Sequence, residues 1–204
     1  MLPTEFHQIH PAFSLWHAFD PGSKVDLFSS ALKTAKGLCI VDPIPLPEAD
    51  LAELSSAATI VGVIVTNANH HRSCADYSER FCVPIFAHTR TFPDSKPRRF
   101  AVLNSGALIG GDLEVIEIEG AVSGEIVLYL PSNGGTVLVG DALVNFEPYG
   151  FTFLPRKYCL NEKQMRKSLY QLLARPAERM LFAHGTPILS GASTRLRQLL
   201  DADA

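Results

Sequence analysis

Two asparagines, two histidines and an arginine stand within six residues, Asn67-Ala68-Asn69-His70-His71-Arg72. Imidazoles ligate metals and carry protons, and a guanidinium grips carboxylates and phosphates. Three further polar residues each stop an apolar run: Asp42 after Leu38-Cys39-Ile40-Val41, Asp141 after Val137-Leu138-Val139-Gly140, and His184 after Leu181-Phe182-Ala183. If these runs are parallel strands, their C-terminal ends share one edge, where open α/β sheets hold their ligands. Asp42, Asn67, Asn69, His70, His71, Asp141 and His184 then converge. Histidines and carboxylates meeting in a cleft suggest a metal site, and two histidines with one carboxylate suit zinc, iron or manganese.

The elements that would position them can be traced along the chain. Pro11 to Phe19 and Val25 to Leu32 read as strands joined at Asp20-Pro21-Gly22, a turn signature. Gly37 to Val41 reads as a buried strand, Glu48 to Ala58 as a helix with Leu51 and Leu54 on one face, and Ile60 to Val65 as the next strand. Strand, helix, strand of this length is a βαβ unit with parallel strands. The polar turn then opens a helix, with Cys74, Tyr77 and Phe81 on one face, followed by a strand at Val83 to Ala87 and a basic loop at Thr91 to Arg99. In the second half, Leu113 to Glu119 sets apolar residues against acidic ones and predicts a strand with one wet face. Strands at Glu125 to Leu130 and Thr136 to Gly140 flank a hairpin loop. A helix begins at Asn161 with Gln164 in capping-box position, and a strand at Arg179 to Ala183 precedes a C-terminal helix marked by Leu196, Leu199 and Leu200. The segment Asn145 to Leu160 is aromatic and reads as a loop that could serve as a lid or a dimer contact.

The 204 residues, 47% hydrophobic and 19% charged, describe one globular domain over 1–204. A net charge of −3 gives no reason to expect nucleic acid or an anionic membrane, and no apolar run approaches the ~20 residues of a membrane span. The N-terminus lacks the pattern of a signal peptide. The four cysteines have no CxxC spacing, so reduced thiols and a cytoplasmic location are expected.

Several stretches together resemble the metallo-β-lactamase-fold superfamily. They are Ile40-Val41-Asp42-Pro43, Val65-Thr66 with its polar turn, Gly120-x-x-x-Gly124, Val139-Gly140-Asp141-Ala142 and Ala183-His184-Gly185, and they cover the chain from about Leu27 to its end. The resemblance implies an α/β (α+β) fold, a four-layer αβ/βα sandwich of two halves with the metals at the edge between them. It also implies a hydrolase in which one or two metals activate water against an ester, amide, thioester or phosphoester. The family motif Thr-His-x-His-x-Asp-His, set on Thr66, puts Asn67 and Asn69 at the first two histidines, His71 at the aspartate and Arg72 at the last histidine. Ala121 takes the place of a further histidine.

The first of the family's metal sites is therefore lost, and the implied set for at most one divalent ion is His71, Asp141 and His184. His71 and Asp141 are the catalytic candidates, with Asp141 also placed to orient water. Asn67, Asn69, His70, Arg72 and Asp42 are cleft residues. His70 is expected as a wall of the cleft, Asp42 as a loop-fixing carboxylate, and Arg72 as a substitute for metal charge pairing with Asp141 or Asp42. His88 is expected to pack or cap, and His7, His10 and His17 have no partner visible in sequence. The alternative is a non-catalytic protein that holds no metal and binds a small anion through Arg72 and the histidines. Either way the expected partner is a small molecule, and a homo-oligomer is left open.

Overall fold

Residues 4–202 are described by the structure, a computed structural model. The first half forms one seven-stranded sheet in sequence order: β1 (Glu5–His10), β2 (Phe13–Asp20), β3 (Val25–Thr34), β4 (Gly37–Val41), β5 (Ile60–Val65), β6 (Ile85–His88) and β7 (Phe100–Leu103). β1 to β4 run antiparallel, and β4 to β7 run parallel. The direction changes where helices supply the crossovers, α1 (Glu48–Ala57) after β4 and α2 (Cys74–Phe81) after β5. β1 and β7 are strands that the apolar pattern does not reveal, since each is short and half exposed at a sheet edge.

The second half contributes β8 (Leu108–Ile109), β9 (Leu113–Glu117), β10 (Ile126–Leu130) and β11 (Thr136–Val139), paired antiparallel. A separate hairpin of β12 (Leu143–Phe146) and β13 (Gly150–Phe153) replaces the first part of the expected aromatic loop. After α3 (Glu162–Leu169) the chain returns as β14 (Arg179–Phe182), parallel to β11, and ends in α4 (Ala192–Asp201). Asn161 caps α3 as its sequence predicts, accepting from the Gln164 N–H at 3.1 Å. The Gln164 amide bonds Glu119 instead of closing the box.

Three cores make the layers. Val41, Ile64, Val115, Leu128 and Leu181 fill the space between the sheets. Ile40, Val63, Leu51 and Tyr77 pack under α1 and α2, and Ile116, Val127, Met165 and Leu196 under α3 and α4. The order is helices, sheet, sheet, helices. Neighbours on one strand go to opposite cores, as Val63 and Ile64 do, which is why these strands read as unbroken apolar runs. β9 corrects the expectation of a wet face: Leu113 and Val115 face the other sheet, Ile116 faces α3 and α4, and Glu114 and Glu117 reach the margin to pair with Arg175 and Arg90. Backbone bonds stitch the two sheets along one edge. Phe28 N–H donates to Ala183 O, Ile126 N–H to Thr66 O, and Ala68 N–H to Ser123 O, each at 2.9 Å. That edge carries the polar strand ends.

Candidate metal centre

Asp42, Asp141 and His184 all reach this edge, with Thr66 and His70 between them. His70 Nε2 lies 3.2 Å from His184 Nε2 and 3.2 Å from Asp141 Oδ1, and His184 Nε2 lies 3.3 Å from the same oxygen. A tetrahedral ion with bonds of ~2.0–2.1 Å holds its ligands roughly 3.3–3.4 Å apart. The triangle fits such an ion and leaves the fourth position open.

The outer nitrogens of both rings support this fit. His70 Nδ1 is 2.9 Å from Asp42 Oδ2, and His184 Nδ1 is 3.3 Å from Asp26 O. Both partners accept, so each ring is assigned its proton on Nδ1 and turns a lone pair inward. With both Nε2 atoms unprotonated, two imidazole lone pairs and a carboxylate oxygen face one another at 3.2–3.3 Å, a repulsive arrangement unless a cation lies among them. A proton is the competing cation. Burial by itself lowers His70, but the Asp141 and Asp42 charges outweigh it and push His70 up to about 9. Burial likewise opposes ionising Asp42 and Asp141. His70 and Arg72 hold Asp42 below the usual carboxylate range, and His70 and His184 hold Asp141 well below it.

Asp42 acts as the loop-fixing carboxylate expected of it. Its Oδ1 accepts the Thr66 N–H at 2.8 Å, and its Oδ2 accepts the Thr66 hydroxyl at 2.6 Å. The turn after β5 explains the place of His70. Four residues beyond Thr66 the chain has curled back, which sets His70 Nδ1 2.8 Å from Thr66 Oγ1. His71 therefore points away. Its Nε2 is 2.6 Å from Thr91 O and its ring stacks on Phe92 at 4.3 Å. The expected grouping of His71 with Asp141 and His184 is corrected: His70, expected only as a wall, is the histidine that meets them.

Arg72 also differs from expectation. Among the described residues its guanidinium makes no carboxylate ion pair, and it donates to Phe28 O at 2.6 Å, Asp42 O at 2.8 Å and Ala183 O at 3.5 Å. Asn67 and Asn69 reach the edge as predicted, but they serve as braces. Asn69 Nδ2 donates to Asp141 Oδ2 at 3.2 Å, and Asn67 Nδ2 donates to Glu125 Oε2 at 2.7 Å. Ala121 is buried in the core under α3.

Glu125 was missed in the sequence. It is fully buried and accepts the N–H groups of Asp141 at 2.9 Å and Ala142 at 3.0 Å, so it anchors the loop that carries Asp141. Burial first, then the Asp141 charge, pushes it up to about 8. The available signal was an acid directly after Gly124, at the head of the apolar run Ile126-Val127-Leu128. Outside the centre, His88 caps a short turn through the Arg90 N–H, while His7 and His17 both lie near Glu5, brought together by the β1–β2 pairing.

Gly185 lets the chain leave His184. Its φ is +102°, and a Cβ there would lie 2.0 Å from Asn145 O. Gly185→Ala is expected to cost about 2–3 kcal/mol in strain and overlap, read as a lower urea midpoint.

Comparison with solved structures gives the same architecture. The chain is similar to the DIM-1 metallo-beta-lactamase, at 16% identity and a TM-score of 0.75 over 99% of each chain. It is similar to TMB-1, at 17% identity and 0.74, over 100% of this chain and 99% of that one. The metallo-beta-lactamase from Pontibacter korlensis matches at 16% identity and 0.73, over 97% of this chain and 99% of that one. These likenesses establish the fold. No curated protein matches. The sequence model of the metallo-beta-lactamase superfamily matches residues 7–202, and the chain belongs to that superfamily.

Proposed function

We propose that this protein is a metal-dependent hydrolase with a degenerate centre holding a single divalent ion on His70, Asp141 and His184. The carrying observation is the triangle of His70 Nε2, His184 Nε2 and Asp141 Oδ1, whose edges suit one tetrahedral ion. The family's first site has no counterpart, because the asparagines at its positions spend their amides on Glu125 and Asp141. Zinc suits the tetrahedral geometry; iron or manganese suits the same two histidines and carboxylate with more open positions. Such an ion supplies Lewis acidity and brings a bound water's pKa toward ~7.

The protein's own residues orient and insulate. Asp42 fixes the His70 ring, Asp26 O fixes His184, and Asn69 holds the second oxygen of Asp141 so that the first faces the imidazoles. His71 has no catalytic part in this reading. The anion-binding alternative loses its chief group, since Arg72 is committed to backbone carbonyls. Free Cys39, Cys74, Cys82 and Cys159 support a reducing, cytoplasmic setting for a single-domain chain, and among the described residues no helix is long and apolar enough to cross a membrane.

The test is metal content after incubation with zinc, iron or manganese and removal of excess. One equivalent per chain, lost in His184→Ala, supports the proposal; a folded wild type without metal, or metal that persists in His184→Ala, overturns it. Asp42→Asn should keep the metal but bind it about 10–100-fold more weakly, because the ring loses its charged orienting partner. Competition with a chromogenic chelator reads that ratio.

A further inference from the structure

Beside the centre, between the β2–β3 turn and the β12–β13 hairpin, lies a cavity of about 610 Å³. That volume lies within the ~300–1,000 Å³ of small-molecule sites. Its wall shares backbone with the centre. Asp26, whose carbonyl accepts from His184, and Gly185, which follows His184, both line it. Four aromatic residues line it: Phe19 and Phe28 from the first sheet, Phe146 and Tyr149 from the hairpin. Phe146 and Tyr149 meet edge to face at 5.8 Å, forming a corner. Tyr149 is 68% exposed and Phe19 43%, so both keep ring surface free for a flat guest.

The charges select further. Among the described residues Lys24 is the one cation lining the cavity, against Asp26 and Glu147, and Arg72 donates to carbonyls instead of a ligand. An anionic group would meet a net negative wall.

We infer that this cleft receives an uncharged aromatic ester or thioester rather than a phosphoester or a carboxylate-bearing substrate, an inference that rests on the hydrolase reading above. In the reaction, the oxygen of water bonds to the acyl carbon and the bond from that carbon to the alcohol oxygen or thiol sulfur breaks. One water proton goes to the leaving group, giving an alcohol or thiol and a carboxylic acid. The acid ionises at neutral pH, and Asp26 and Glu147 then repel it, which favours its release.

The test uses metal-replete protein and two esters with the same scissile bond, 4-nitrophenyl phenylacetate and its para-carboxylated analogue. The neutral ester is expected to have a kcat/KM about two- to fivefold higher, since the Asp26 and Glu147 carboxylates are exposed and partly screened by solvent. Glu147→Lys should narrow that gap, and Tyr149→Ala should raise KM severalfold with kcat and metal content unchanged. Preference for the carboxylated ester, or a KM indifferent to Tyr149→Ala, overturns the substrate class and leaves the hydrolase reading standing. Binding of phenylacetamide and its para-carboxylated analogue, followed by NMR titration, reads the cleft without turnover. Selective binding of the neutral amide by protein that hydrolyses neither ester overturns the hydrolase reading and upholds the cleft, and equal or absent binding of the two amides overturns the cleft.

Discussion

His70→Ala is expected to strip the protein of its metal, and His71→Ala, one residue on, to leave it bound. The two side chains differ in direction and not in chemistry. His70 Nε2 stands 3.2 Å from both His184 Nε2 and Asp141 Oδ1, while His71 Nε2 is spent on Thr91 O at 2.6 Å. Loss of one of three protein ligands should weaken binding roughly a hundredfold or more, given the ~10–16 kcal/mol that a full set of structural ligands supplies. Hydrolysis should fall with it. His71→Ala should keep one equivalent of metal and lose the stacking on Phe92 and the hydrogen bond to Thr91 O, together about 2 kcal/mol of stability. Metal analysis of both variants, with circular dichroism to establish that each is folded, decides the matter. Metal lost in His71→Ala and kept in His70→Ala would restore the grouping expected from the family motif and refute the geometry described here.

Arg72→Met is expected to damage stability more than chemistry. The guanidinium joins three pieces of chain that meet only in the folded protein: Phe28 on β3, Asp42 at the end of β4 and Ala183 at the end of β14. Hydrogen bonds from a charged donor are worth about 1.5–3 kcal/mol each. Against this, removing a buried cation recovers its desolvation cost, and two of the carbonyls keep another donor, Ser29 on Asp42 O and the Phe28 N–H on Ala183 O. The balance should be a loss of about 2–4 kcal/mol, a fall in Tm of roughly 5–15 °C for a chain of this size. Arg72→Lys should recover part of it, since an ammonium can reach one or two of the three oxygens. An anion-binding Arg72 would behave in the opposite way: the Tm of the methionine variant would hardly move, and stabilisation by added phosphate would vanish.

These two substitutions mark where local sequence stops being informative. The runs ending at Asp42, Asp141 and His184 announce buried strands whose polar ends share a rim, because apolar residues on both strand faces require cover on both sides. Parallel pairing follows from the length of the crossovers, and the four-layer sandwich is what the resemblance to the family implies. The family motif located the turn after β5 and exposed the replacements at Asn67, Asn69 and Ala121. None of this could choose between adjacent histidines. Which ring faces Asp141 depends on how the chain curls after Thr66, and that curl is held by Asp42, a residue 24 positions away whose carboxylate takes both the Thr66 N–H and its hydroxyl. Glu125 escaped notice because its role depends on the N–H groups of Asp141 and Ala142, which belong to another strand end. Arg72 looked like a ligand-binding cation because guanidinium chemistry allows it, yet the oxygens it satisfies come from three separate strands. Periodicity and spacing are properties of neighbours in the chain, and they determined the elements and the edge at which they end. Side-chain direction and partnership are set by groups distant in sequence, and these the tertiary structure alone decided.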